Sequence, residues 1–487
     1  MAEPLAPAAS SSGGVRGVLW SSLAWGLNRS VVFVLTLVLA RLLVPEDFGL
    51  VVAGMTVITF LEVGLDLGVG SAIVYQQDER ISDRARSAFA LNLVTSGVVT
   101  VACVAAAPAI AGFFGVTEVN LFRLLFCYPL LRGAGQVHDA LLKRDLRFKK
   151  RMLVDVLRAL TRVAVSIPLA LAGFGAWSIV WGLLAAEVVG TVTNWTLVHL
   201  RPRFAIDRET VSSLLGFGVA LVAARAVGTF QANVDYLVVG NRLGLEQLGF
   251  YSVAYRLPEL LLANLYWVFS SVAFPVYARA RREGLEALRR TALRALMLLS
   301  LFGFSVGAGL AVVARDAVLV LFSQRWAPAA APMVLISLGL AAMAVAPACG
   351  DIAPAIGRPG LLLPLQIPSV LLAVVGFVSV ADRGITAIAA VHLVYGVAFA
   401  CVHMVVAKHI LEARAADFLS ALRPGVVAAL GITVTALPVR LALDQGLVAL
   451  LATTLAGPIG AAAALAVGSR HTFSDLRVTL GQALGRA

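Results

Sequence analysis

The feature that most restricts this chain is the regular alternation of long apolar runs with short basic clusters, sustained from about residue 17 to residue 468. A helix that crosses a bilayer needs about 20 apolar residues, since about 30 Å of hydrocarbon is covered at about 1.5 Å per residue. Fourteen such runs can be marked off: 17–41, 48–74, 88–114, 118–138, 152–173, 176–199, 212–238, 248–272, 293–314, 329–356, 361–381, 384–407, 423–440 and 444–468. With 60% of the residues hydrophobic and only 14% charged, no soluble fold could cover the apolar surface this chain carries. The expected fold class is an all-α polytopic membrane protein with about 14 transmembrane helices. The run 329–356 is the least regular because it holds Pro332, Pro347 and Pro354. Proline is accepted in a membrane helix where neighbours satisfy the freed backbone groups.

Charge orients the spans. A net charge of +12 could suggest nucleic acid. That reading needs a basic face with stacking aromatics on a soluble fold, whereas here the positives sit in short loops between apolar segments. Placing the N-terminus in the cytoplasm puts 26 of the 39 Lys+Arg in inside segments and 6 in outside segments. Both termini are thereby predicted cytoplasmic, in a multi-pass protein of the bacterial inner (plasma) membrane. Residues 1–16 read as a disordered cytoplasmic tail, because Met1–Gly14 is rich in Ala, Pro, Ser and Gly and has no basic residue, as a signal peptide would. Residues 469–487 read as a second tail. The outside loops are short, which argues against a membrane-embedded glycan ligase or glycosyltransferase. Cys103, Cys127, Cys349 and Cys401 all fall in spans without metal-ligand spacing, and read as small buried hydrophobes. Neither a metal nor a cofactor is expected.

The chain echoes itself. Val44-Pro45-Glu46-Asp47-Phe48-Gly49 follows the first span, and Gly244-Leu245-Glu246-Gln247-Leu248-Gly249 follows the seventh, with Glu46 and Gly49 landing on Glu246 and Gly249. A weaker echo relates Gly175-Ala176-Trp177-Ser178 at the sixth span to Gly384-Ile385-Thr386-Ala387 at the twelfth. Six spans separate each pair, an even number, so the repeats share one orientation, the parallel type. The expected organisation is an N-terminal six-helix lobe (17–200), a C-terminal six-helix lobe (211–408) related by a parallel pseudo-two-fold, and two additional transmembrane helices (423–468).

Several motifs carry a family resemblance. Leu39-Ala40-Arg41-Leu42-Leu43-Val44-Pro45-Glu46-Asp47-Phe48-Gly49 resembles the end of the first helix in Wzx-type oligosaccharide and polysaccharide flippases, the polysaccharide transporter branch of the multidrug/oligosaccharidyl-lipid/polysaccharide exporter superfamily. Asp66-Leu67-Gly68-Val69-Gly70-Ser71-Ala72, Lys143-Arg144-Asp145-Leu146-Arg147-Phe148-Lys149, Asp235-Tyr236-Leu237-Val238-Val239-Gly240, Leu248–Leu257, Phe274-Pro275 and Leu321-Phe322-Ser323-Gln324-Arg325-Trp326 are similar to further stretches of that family. The resemblance runs from about residue 16 to 420. It implies two six-helix lobes working by alternating access and moving a lipid-linked oligosaccharide or polysaccharide precursor from the cytoplasmic to the outer leaflet. It implies a lipid-linked glycan and the bilayer as partners, with a glycan polymerase or assembly proteins as further candidates, and no catalytic residue. The motifs themselves read as helix-end and packing devices. A drug or cation antiporter of the same superfamily is the alternative.

Charges inside the spans mark candidate sites, because a charge at the bilayer centre costs about 2.5–3.5 kcal/mol. Arg158 and Arg162, near Asp155, read as snorkelling toward the inner surface, and Arg123 toward the outer. Arg29 and Arg225 lie near the middle of the first helix of each lobe and read as cavity arginines from opposite lobes. Arg132 and Arg256 are weaker candidates, and Asn28, Gln231 and Asn233 are positioned to hydrogen-bond sugar hydroxyls or the arginines. A guanidinium matches phosphate oxygens in a bidentate fork, so the set suits a diphosphate linker or an acidic sugar. Glu62 and Asp66, one turn apart, could carry a coupling proton or sodium ion, or simply pair with neighbouring arginines. His392 and His403 share a face of the twelfth span and read chiefly as packing residues, with a proton relay as the alternative.

Overall fold

The computed structural model describes residues 11–65, 81–198, 208–361 and 363–469, and these are helical throughout apart from turns. Backbone contacts divide the chain at Glu246 into two units, Met1–Glu246 and Gln247–Ala487.

The first unit holds α1 (Ser11–Leu42), α2 (Pro45–Leu65), α3 (Ile81–Phe113), α4 (Val119–Leu125), α5 (Tyr128–Arg144), α6 (Phe148–Leu171), α7 (Ala176–Leu197) and α8 (Arg208–Leu243). The helix pair α6 and α7 is its most extensive contact, and α6 also packs on α1 while α5 packs between α3 and α7. The Pro45–Gly49 motif explains how two of these helices begin. Asp47 Oδ2 accepts from the Val44 amide at 3.1 Å, and Asp47 Oδ1 accepts from the Ala176 amide, at the start of α7, at 2.9 Å. One carboxylate therefore satisfies donors at two helix N-termini, where the helix dipole also favours negative charge. Gly175 precedes α7 at φ +51°, close beside that carboxylate. Both internal echoes fall on helix starts, at Pro45 and Leu245 for the first and at Ala176 and Ile385 for the second, each of the latter entered through a glycine of positive φ, Gly175 or Gly384.

The boundary falls in the first turn of α9 (Leu245–Pro258), which passes through a π-helical turn (Glu259–Ala263) into α10 (Asn264–Arg282) in the second unit. There follow α11 (Leu285–Ala317), α12 (Ala330–Met343), α13 (Ala346–Gly350), α14 (Ile352–Ala355), α15 (Leu363–Val380), α16 (Ile385–Leu411), α17 (Ala415–Ala442) and α18 (Leu447–Gly468). Two family motifs meet in this unit. Trp326 is fully buried, with its ring centroid 6.0 Å from Phe250 and 6.4 Å from Phe322. The last two helices are closely integrated here: α17 packs along both α11 and α18. Arg440 of α17 forms an ion pair with Asp316 of α11, whose side chain is wholly buried. Gly431 and Gly460 lie at the α17–α18 crossing with no room for a side chain, and Thr435 Oγ1 donates to the Ala456 carbonyl at 3.2 Å. Small residues at the crossing bring the two backbones together, as in other membrane helix pairs.

Apolar side chains cover the outward face of α17 and α18: Val434 is 69% exposed, Leu441 75% and Ile459 70%. A surface of this kind is stable only against lipid tails. Among the described residues, seven helical stretches are long and apolar enough to cross a membrane: Ala85–Phe113, Ala176–Leu197, Leu285–Phe322, Gln324–Ala355, Ile385–Leu411, Ala415–Ala442 and Leu447–Gly468. Others among the fourteen runs are shortened by gaps in the described residues, or carry several charges, as α6 does with Asp155, Arg158 and Arg162.

The helices differ from the sequence expectation at several boundaries. α1 starts at Ser11, so residues 11–16, expected to be disordered, are helical; the prolines that would interrupt a helix, Pro4 and Pro7, lie before it in the sequence. The fourth run is two helices, broken at Phe126–Cys127, because Pro129 in the first turn of α5 has no amide to continue the α4 ladder. The run 329–356 is likewise three helices, with Pro347 in the first turn of α13. α17 begins eight residues before 423, where Asp417 accepts from the Arg414 amide at 2.9 Å. Cys401 is exposed on α16 and so is not a buried hydrophobe, whereas Cys103 and Cys349 are buried.

Candidate functional site

Several charged side chains inside the first unit converge on one network. α5 places Tyr128 and Arg132 one turn apart, and Arg132 Nη1 donates to the Tyr128 hydroxyl at 2.9 Å. The same Nη1 is 3.9 Å from Glu187 Oε1 of α7, and the Tyr128 hydroxyl donates to that oxygen at 3.4 Å. Arg132 Nε lies 3.1 Å from Glu62 Oε1 of α2. The other Glu187 oxygen, Oε2, is 3.4 Å from Arg158 Nη2 of α6, and Arg158 Nη1 is 3.9 Å from Asp155 Oδ1 on the same helix. Asn28 of α1 donates to the Asp155 carbonyl at 3.3 Å. Five helices thus contribute to one chain of contacts.

Exposure grades along it. The side chain of Glu187 is 10% exposed and that of Arg158 20%, against 32% for Glu62 and 49% for Arg132. The network is anchored at its buried end and open at Arg132. Gly190, one turn beyond Glu187 on α7, supplies the space: a Cβ there would overlap the Arg158 guanidinium. This is why Arg158 reaches across to Glu187 in addition to lying beside Asp155. Mutual compensation of the charges offsets part of the cost of placing them within spans.

The sequence candidates separate as follows. Asn28, Glu62 and Arg132 belong to this network. Arg29 is exposed on α1. Asn233 Nδ2 donates at 2.9 Å to the Thr229 carbonyl one turn earlier on its own helix, α8. Arg225 falls in α8, but its side chain lies outside the described part, and Asp66 lies outside the described residues altogether. Arg256 is half-buried on α9 in the second unit. There His392 Nδ1 is 2.9 Å from the Tyr255 hydroxyl, while His403 Nδ1 donates to the Phe399 carbonyl at 2.9 Å, so the two histidines have separate partners. Tyr128 and Gly190 are not among the sequence candidates, and from the sequence Glu187 is one more acid within a predicted span. The usable signal was a small residue one turn from an acid on the same face, Gly190 after Glu187, in a span facing an arginine-bearing one.

The sequence pattern of the family described as polysaccharide biosynthesis protein matches residues 38–331. The chain is 28% identical over 327 residues to the succinoglycan biosynthesis transport protein ExoT of Rhizobium meliloti, covering 66% of this chain and 65% of that one. It is 25% identical to the teichuronic acid biosynthesis protein TuaB of Bacillus subtilis, covering 55% and 56%, and 24% identical to the lipopolysaccharide biosynthesis protein WzxC of Escherichia coli, covering 64% of each. The matched stretch is thus less than two thirds of the length of these relatives. Among solved structures, the fold is similar to the lipid II flippase MurJ in an inward closed conformation, with a TM-score of 0.76, 13% identity, and coverage of 93% of this chain and 99% of that one. It is also similar to an inward-facing multidrug resistance MATE family transporter of the MOP superfamily, with a TM-score of 0.64, 17% identity, and coverage of 79% and 94%. The motif resemblance is borne out by these matches: this multi-pass membrane protein belongs to the polysaccharide biosynthesis protein family, within the fold of the MOP exporters.

Proposed function

We propose that the chain is a flippase that carries a lipid-linked oligosaccharide or polysaccharide precursor from the cytoplasmic to the outer leaflet of the bacterial inner membrane by alternating access. It is a transporter and not an enzyme. The observation that carries this reading is a span arginine, Arg132, whose side chain is half-exposed while its partner Glu187 is buried behind it, in a chain of the polysaccharide biosynthesis family. Relatives bearing the names succinoglycan biosynthesis transport protein and lipopolysaccharide biosynthesis protein, and a fold neighbour named as a lipid II flippase, support the same class of cargo. The anionic linker of a lipid-linked glycan supplies what a guanidinium selects: paired phosphate oxygens.

In this reading Arg132 contacts the anionic group, with Arg29, Asn28, Arg225, Asn233 and Arg256 as further substrate contacts and Glu62 and Asp66 as acids that could take a coupling ion. The chain has fourteen spans in two six-helix repeats of one membrane sense plus two more helices, with both termini in the cytoplasm. A deletion strain should accumulate its lipid-linked glycan intermediate unexported. Complementation by the wild-type chain should relieve this, and Arg132→Ala at equal membrane abundance should not. Full relief by Arg132→Ala would remove Arg132 from the substrate path, and accumulation of an unglycosylated or unligated product instead would point to an enzyme.

A further inference from the structure

The two ends of the Arg132 guanidinium are held differently. Its Nη1 end meets Tyr128 and Glu187, two groups that also touch each other, and Glu187 is in turn balanced by Arg158. That end is built into a buried frame drawn from α5, α6 and α7. Its Nε end meets only one acid within ion-pair distance among the described residues, Glu62, which comes from a separate helix, α2, and is about three times as exposed as Glu187, 32% against 10%. The Nε/Nη2 edge is the one that receives a carboxylate or phosphate in a bidentate fork.

We propose that Tyr128 and Glu187 are positioning residues that fix Arg132, and that Glu62 is its exchangeable counter-ion, occupying the guanidinium edge that an anionic group of the substrate takes over. This rests on the reading of Arg132 as a substrate contact and deepens it. Glu62 neutralises Arg132 when no substrate is bound, so the bare guanidinium is never left uncompensated inside a span. A diphosphate, which carries more charge and presents two oxygens to the fork, displaces it. Glu62 therefore sets a threshold: only a ligand that competes with a carboxylate at this edge is engaged, which selects against uncharged lipids.

The two glutamates make opposite predictions under this scheme. If the site sensed only net charge, converting either acid to its amide would strengthen anion binding. Under the proposal, Glu62→Gln removes a competitor and tightens binding, whereas Glu187→Gln loosens the seat of Arg132 and weakens it. The test uses the purified full-length protein in detergent at low ionic strength, with a short-chain polyprenyl diphosphate as probe and the polyprenol of the same length as uncharged control. The wild type should prefer the diphosphate. Glu62→Gln should bind it about tenfold more tightly, Glu187→Gln and Tyr128→Phe about tenfold more weakly, with polyprenol binding unchanged in all three. Tyr128→Phe changes no charge and carries the positioning claim by itself if Glu187→Gln fails to fold, and Glu62→Asp, which withdraws the carboxylate by one methylene, should shift affinity in the same direction as Glu62→Gln. Equal or weaker diphosphate binding by Glu62→Gln overturns the counter-ion role, and tighter binding by Glu187→Gln overturns the positioning role. A wild type with no preference for diphosphate over polyprenol would overturn the underlying substrate contact as well, a failure distinct from the other two.

Discussion

A side chain at position 190 would occupy the space in which the Arg158 guanidinium lies. Gly190→Val should therefore displace Arg158 from Glu187 and lower thermal stability by about 1–3 kcal/mol, the usual cost of overpacking, in an unfolding measurement on the detergent-solubilised protein. An unchanged melting temperature would mean that Arg158 moves away freely and anchors nothing. The Asp316–Arg440 pair makes a second residue-scale case in the second unit. Removing one partner of a buried pair costs about 3–5 kcal/mol because the other charge is stranded, while replacing both with apolar groups is often neutral. Asp316→Ala should thus be strongly destabilised, and Asp316→Leu combined with Arg440→Met should recover most of the loss; equal stability of the single and double variants would contradict the pairing. At this scale the sequence was informative about cost and silent about compensation. It marks Arg132, Arg158 and Glu187 as charges that a span must neutralise. The partners 62, 128, 132, 158 and 187 are dispersed over four runs, and nothing in their spacing says which side chains meet.

Helix ends were the most legible elements. Pro45–Gly49 reads as a helix-end device, and Asp47 acts as one, although its second role at the start of α7 depends on a contact 129 residues away that no local pattern reveals. Asp47→Ala should remove an acceptor from two helix starts at about 0.5–2 kcal/mol per lost cap, and backbone hydrogen exchange should quicken at the first turns of both α2 and α7. Quickening at α2 alone would leave the α7 contact without energetic weight. Interior breaks were harder to place. The prolines of 329–356 mark an irregular span, and α12, α13 and α14 are its pieces, but hydropathy is continuous across Phe126–Cys127, so the fourth run reads as one helix. An apolar average does not register where a single missing amide interrupts the ladder.

For the whole molecule, hydropathy determines class and the distribution of basic loops predicts orientation, because a bilayer imposes span length and the cost of translocating charge on any chain. Reporter fusions at Gly14 and after Arg470 should both report cytoplasm if the spans number fourteen, and opposite signals would refute an even count. What the cargo is does not follow from those rules, since the same fold neighbours include a lipid II flippase and a multidrug transporter. The central claim is that the chain moves an anionic lipid-linked glycan through the bilayer and that Arg132 engages its charge. Purified protein in liposomes loaded with a polyprenyl diphosphate-linked oligosaccharide tests it most directly, by following how much of the labelled glycan becomes accessible to an enzyme added outside. The account predicts protein-dependent transfer that Arg132→Ala reduces at least about tenfold and Arg132→Lys restores only in part, because the planar fork is lost. Transfer no faster than in protein-free liposomes, or undiminished transfer by Arg132→Ala, would contradict it.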